Sequence, residues 1–161
     1  MVFSCREMSK LVFISGSILV LLGCNSGEKA ITSNGDLVDL LPPKNSHLLL
    51  NYWAEWCLPC KEEIPELNRL YREGSKNGLV VFGINYDGLV GRELRDQVTK
   101  MEIEFPVLVE DPRLRFGFSE PEVLPMTVLI AEGGERSRVL VGPQTYEDIL
   151  RDQQSFQIIN V

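Results

Sequence analysis

Cys57-Leu58-Pro59-Cys60 constrains this chain more than any other feature. An apolar run, Leu48 to Trp53, precedes it, and a helix-like segment with Ile64, Leu67 and Leu70 on one face follows it. A buried strand that runs into a helix is the unit of an α/β layered fold. Two thiols separated by two residues can close into a disulfide and reopen. At such a junction the first thiol sits at a helix N-terminus, where the dipole and free backbone N–H groups favour the thiolate. The thiolate attacks disulfides, so the placement suits a redox pair.

Paired cysteines also serve zinc and haem sites. A structural zinc site takes four ligands. Beyond the pair, the chain offers only Cys5, Cys24 and the single His47, and both cysteines lie in the N-terminal segment. Covalent haem attachment needs His directly after the second Cys, and Lys61 stands there.

Residues 1–23 read as a leader. Arg6 and Lys10 make a positive start, and Leu11 to Leu22 is a 12-residue apolar stretch, short for a membrane-spanning helix. It ends in Leu21-Leu22-Gly23-Cys24, which resembles the lipobox of bacterial lipoproteins. That resemblance implies cleavage before Cys24 and lipidation of its thiol and new amine. Several acyl chains on one terminus make a stable anchor. An ordinary cleaved signal, or an uncleaved anchor over Leu11–Leu22, is the alternative. A start at Met8 would remove Cys5 and change nothing else. The same resemblance implies that Asn25, in place of an Asp after Cys24, favours the outer membrane in an organism that has one.

Residues 24–161 number 138, enough for one domain with a core. Without Arg6, Lys10 and Glu7 the balance is 14 basic to 22 acidic, a net charge of −8. That acidity gives no basic face for nucleic acid, and a monomer is expected. Residues 25–35, rich in Ser, Gly, Asn and Thr, read as a flexible tether, with the domain spanning 36–161. The expected elements are a short strand or turn over 36–41, a strand over 48–53, a helix over 60–76 that Pro65 should kink, a strand over 79–85, a helix over 92–101, a strand over 105–109, a hairpin of 126–131 and 138–141 around Gly133-Gly134, and a helix over 144–154.

Over residues 36–152 the chain resembles the thioredoxin superfamily: α/β, with a central mixed sheet flanked by helices. Within it, the chain resembles the membrane-tethered thiol–disulfide reductases of cytochrome c maturation and other extracytoplasmic targets. The motifs are Asn51-Tyr52-Trp53-Ala54-Glu55-Trp56-Cys57-Leu58-Pro59-Cys60 with Pro65 beyond, Gly83-Ile84-Asn85-Tyr86-Asp87, and Val123-Leu124-Pro125-Met126-Thr127.

The resemblance implies that Cys57 is the nucleophile and Cys60 the resolving thiol. Their redox-active disulfide is the only cofactor-like group, with no metal. It implies a cis peptide at Pro125, with Leu124 offering its backbone to an extended substrate, and Trp56 flanking the dithiol. Trp53 and Met126 are expected to pack in the core or at its rim, and His47 to be structural or superficial. The implied partners are protein disulfide substrates and an upstream membrane thiol transducer, on the extracytoplasmic side of a bacterial membrane.

No cation stands between the cysteines, which favours a reductant over an oxidant. One departure matters. Many cytosolic thioredoxins carry a buried Asp six residues before the first Cys; Asn51 stands here. Glu55 and Glu62 are the candidate substitutes, though charges around a helix start are usually solvated. Two rival functions stay open: a Cu(I) chaperone using the thiolates with Met126 or His47, and a non-catalytic surface lipoprotein.

Overall fold

The computed structural model describes residues 28–135 and 137–158. The leader over 1–23, the apolar run Leu11–Leu22 and Cys24 lie outside the described residues.

The elements run β1 (Lys29–Ile31), β2 (Leu37–Asp39), β3 (His47–Trp53), α1 (Leu58–Asn77), β4 (Leu79–Asn85), α2 (Gly91–Lys100), β5 (Val107–Leu108), α3 (Arg113–Phe116), β6 (Met126–Ile130), β7 (Ser137–Val141) and α4 (Tyr146–Ile158). Five strands form a mixed sheet in the order β5-β4-β3-β6-β7. β3 lies in the middle, parallel to β4 and antiparallel to β6. All seven of its residues are buried, as expected of a strand covered on both faces.

Alternation along β3 separates two cores. Leu49 and Trp53 point to the face covered by the helices, where they meet Ile64, Leu67 and Leu70 of α1, Leu94 of α2 and Ile149 of α4. Leu48, Leu50 and Tyr52 point to the other face and meet Phe82, Phe116, Met126 and Val128. Trp53 and Met126 are therefore core residues, as expected. α1 runs through Pro65 to Asn77 and ends at Gly78, which takes the left-handed conformation (φ 64°) that glycine adopts without a Cβ penalty. Gly83 has a packing role instead. A Cβ there would lie 2.8 Å from the Phe105 ring and 3.0 Å from the Trp53 indole nitrogen.

The N-terminal boundary is corrected. Lys29–Ile31 pairs antiparallel with Leu37–Asp39, Ser33 N–H donates to Val107 O at 2.7 Å, and Val109 N–H donates to Ile31 O at 2.9 Å. Thr32 and Ser33 are buried. Residues 29–35 thus belong to the fold, because their backbone is paired with β2 and fastened to β5. The short α3 was not anticipated.

Candidate active site

The strand-to-helix junction places the cysteine pair. Cys57 caps α1 in extended conformation, and its Sγ accepts from Cys60 N–H at 3.2 Å. Pro59 falls in the first helical turn, where its missing N–H has no intrahelical partner to lose. Cys57 and Cys60 are joined in a disulfide. Cys57 is 4% exposed and Cys60 1%, so the asymmetry between the two comes from position on the helix more than from exposure.

Trp56 is 65% exposed beside the pair. Its indole N–H donates to Asp87 Oδ1 at 3.1 Å, and its ring meets that of Tyr86 edge-on, 6.2 Å between centroids. These contacts hold a large apolar side chain at the surface instead of letting it fold away. The Leu124–Pro125 peptide is cis. Pro125 is buried and its carbonyl accepts from Gly142 N–H at 2.9 Å. Leu124 packs against both the cluster that contains the cysteines and the cluster on the opposite face.

Sequence reasoning passed over Glu63 as a proton acceptor for the resolving thiol. It lies one helical turn after Cys60, on the same side of α1 (i, i+3), and is 2% exposed. Its Oε2 accepts from Asn51 Nδ2 at 2.9 Å, and its Oε1 accepts from Gln144 N–H at 3.1 Å and from Thr127 Oγ1 at 3.4 Å. Asn51 and Thr127 face each other across the β3–β6 ladder, and Asn51 Nδ2 also donates to Thr127 Oγ1 at 3.0 Å. No cation joins this group among the described residues. Burial pushes the Glu63 carboxyl from 4.5 up to about 7, against the three hydrogen bonds that favour its charged form.

The departure at Asn51 is thereby explained. The carboxyl is carried by the helix, and the strand supplies an amide to hold it. Asn51 Oδ1 has no hydrogen-bond partner among the described residues. The amide can therefore donate Nδ2 to the carboxylate, or, turned over, accept through Oδ1 from the carboxylic acid. Glu55 is ion-paired with Lys100, and Glu62 is exposed.

His47 opens β3, six residues before Trp53, which at about 3.3 Å per residue puts it roughly 20 Å from the dithiol end of the strand. It packs near the Phe156 ring, 5.9 Å between centroids. Met126 is buried beneath the sheet. Among the described residues no cluster of three or more His, Cys, Asp or Glu side chains is placed to hold a metal ion.

A family model described as AhpC/TSA matches residues 28–143. The chain belongs to the AhpC/TSA family. Family membership thus takes in residues 28–35, in agreement with the ribbon of β1 and β2. The thiol–disulfide oxidoreductase ResA of Geobacillus kaustophilus is 29% identical over 110 residues, covering 68% of this chain and 63% of that protein. ResA of Bacillus subtilis is 28% identical over 120 residues, covering 74% of this chain and 66% of that protein. The chain thus spans just under two thirds of these relatives. Among solved structures, the pneumococcal exposed lipoprotein thioredoxin of Streptococcus pneumoniae superposes with a TM-score of 0.66 at 18% identity, covering 80% of this chain and 98% of that one. At that identity the likeness establishes the thioredoxin-like fold.

Proposed function

We propose that this AhpC/TSA-family protein is a thiol–disulfide oxidoreductase that reduces disulfides in extracytoplasmic proteins, tethered to a bacterial membrane through Cys24. The carrying observation is the Cys57–Cys60 disulfide at the start of α1, with the buried Glu63 one turn below. The names of the ResA relatives support the activity. The lipobox-like Leu21-Leu22-Gly23-Cys24 supports the anchor. The resemblance to reductases of cytochrome c maturation makes an apocytochrome c disulfide the substrate class.

In the proposed reaction the reduced Cys57 thiolate attacks one sulfur of the substrate disulfide. A mixed disulfide forms and the first substrate thiol leaves. Cys60 then attacks Cys57 Sγ, the second substrate thiol leaves, and the Cys57–Cys60 disulfide re-forms. Two electrons pass from protein to substrate. Glu63 takes the Cys60 proton as that sulfur becomes nucleophilic; a group near neutrality is suited to the task. A membrane thiol transducer restores the dithiol. Trp56 and the Leu124 backbone bind the substrate beside the pair.

Insulin reduction by the full-length protein tests the reading. Cys57→Ser should abolish it, and Cys60→Ser should accumulate a mixed disulfide. Faster alkylation of Cys60 than of Cys57 in the reduced protein would reverse the assigned roles. No reduction by the wild type, with stoichiometric Cu(I) uptake, would replace the reading by copper carriage.

A further inference from the structure

On the face of the sheet away from α1, an open groove of about 470 Å³ lies between the segment preceding β6 and the edge strand β7. Met126 lies at its base, Val123, Val139 and Val141 line its sides, and Glu120 and Glu122 stand on its rim. Alternation along β7 turns Leu140 toward the helix-side core and Val139 and Val141 to the opposite face. These three valines are 58%, 46% and 60% exposed, a concentration of apolar surface in one place.

The wall is fixed in place. Tyr52, next to Asn51 on β3, donates its hydroxyl to Asp111 Oδ1 at 2.6 Å, and the same oxygen accepts from Arg113 N–H at 2.9 Å. Phe118 meets the Tyr52 ring edge-on at 6.1 Å. The strand that carries the active-site junction therefore also holds the wall of the groove.

Two observations identify the occupant. The first is continuity. Leu124 follows Val123 and packs on both the cluster containing Cys57 and Cys60 and the cluster containing Met126. A polypeptide engaged at the dithiol and passing over Leu124 is led into the groove. The second is charge. Glu120 and Glu122 rim it, and neither Lys nor Arg lines it. Glu120 meets Arg113 only at 3.4 Å, with its side chain 66% exposed. Glu122 has no ion-pair partner among the described residues.

We propose that this groove is a docking subsite for the substrate polypeptide, taking an apolar side chain flanked by Lys or Arg beyond the disulfide. The inference rests on the oxidoreductase reading and extends it to substrate selection.

The probe is a fluorescent peptide with two S-methylated cysteines followed by Leu-Arg, compared with the same peptide ending in Leu-Glu. Binding to the full-length protein is read by anisotropy. Methylated sulfurs cannot exchange, so binding is measured apart from chemistry. The wild type should prefer Leu-Arg. Val139→Ser with Val141→Ser should weaken that binding about tenfold, and Glu120→Gln with Glu122→Gln should erase the preference. Turnover of glutathione disulfide, which carries neither an apolar side chain nor a Lys or Arg beyond its cysteines, should stay unchanged in both variants.

Equal binding of the two peptides by the wild type, or unaltered binding by both variants, overturns the proposal. A wild-type dimer that the valine variant dissociates, without peptide binding, overturns it in favour of a second copy on this face. Peptide binding as expected, with no turnover of any disulfide by the wild type, upholds the groove and removes the oxidoreductase reading instead.

Discussion

Replacing Glu63 by Gln should remove a pH dependence from the stability of the oxidised protein. The carboxyl is buried and its pKa stands at about 7 in the fold, against 4.5 for an unperturbed Glu. Between those values the folded chain keeps a proton that the unfolded chain has lost. Stability contributed by the protonated group is therefore complete below about pH 4.5, declines as pH rises, and is gone above about pH 7. At about 1.4 kcal/mol per pH unit, the window corresponds to about 3 kcal/mol. Gln is neutral throughout and close in shape. It can accept from Gln144 N–H through Oε1 and donate its amide to Asn51 Oδ1, which has no other partner among the described residues. The assay is urea unfolding of both proteins from pH 4 to pH 8 at constant ionic strength. The wild-type value minus the variant value cancels every other titration and should fall by about 3 kcal/mol across the window. A difference that does not move with pH would show that Glu63 titrates as an ordinary carboxyl and would refute the reasoning.

Gly83→Ala should cost roughly 1–3 kcal/mol by overpacking Phe105 and Trp53, seen as a lower denaturation midpoint at unchanged m-value. The Cys57–Cys60 couple should titrate near about −270 mV in glutathione and dithiothreitol buffers, because no cation lies between the cysteines; a midpoint above about −170 mV would make the protein an oxidant or isomerase. Cys24→Ser should release the protein from the membrane fraction with its disulfide exchange intact. Uncleaved precursor still in the membrane would identify Leu11–Leu22 as the anchor.

The residues that carry the chemistry were legible where local pattern and burial coincide. The thiol spacing, the run from Leu48 to Trp53 and the stripe of Ile64, Leu67 and Leu70 give the strand, the helix and the dithiol between them. Glu63 was hidden because a Glu in an early helical turn is ordinarily solvated. Its signal was positional: three residues after Cys60 it falls within the buried stripe, where a charge needs partners. Those partners, Asn51, Thr127 and the Gln144 amide, come from three separate parts of the chain, and no local pattern joins them. β1 was hidden for a similar reason. Three residues are too few to show a period, and the polar composition around them suggested a tether. Their order comes from backbone bonds to β2 and β5. α3, with four residues, is likewise below the length at which periodicity speaks.

The docking of β1 against β2 and β5 sets the reach of the molecule. A leash from Cys24 to Asp36 would extend to about 40 Å, whereas one ending at Lys29 extends to no more than about 18 Å. A lipidated Cys24 would thus keep the protein close against the bilayer, patrolling a shell thinner than its own diameter. Substrates would have to come to the membrane surface to be reduced. The leash also enters beside β5, where Glu28 is ion-paired with Arg115 of α3.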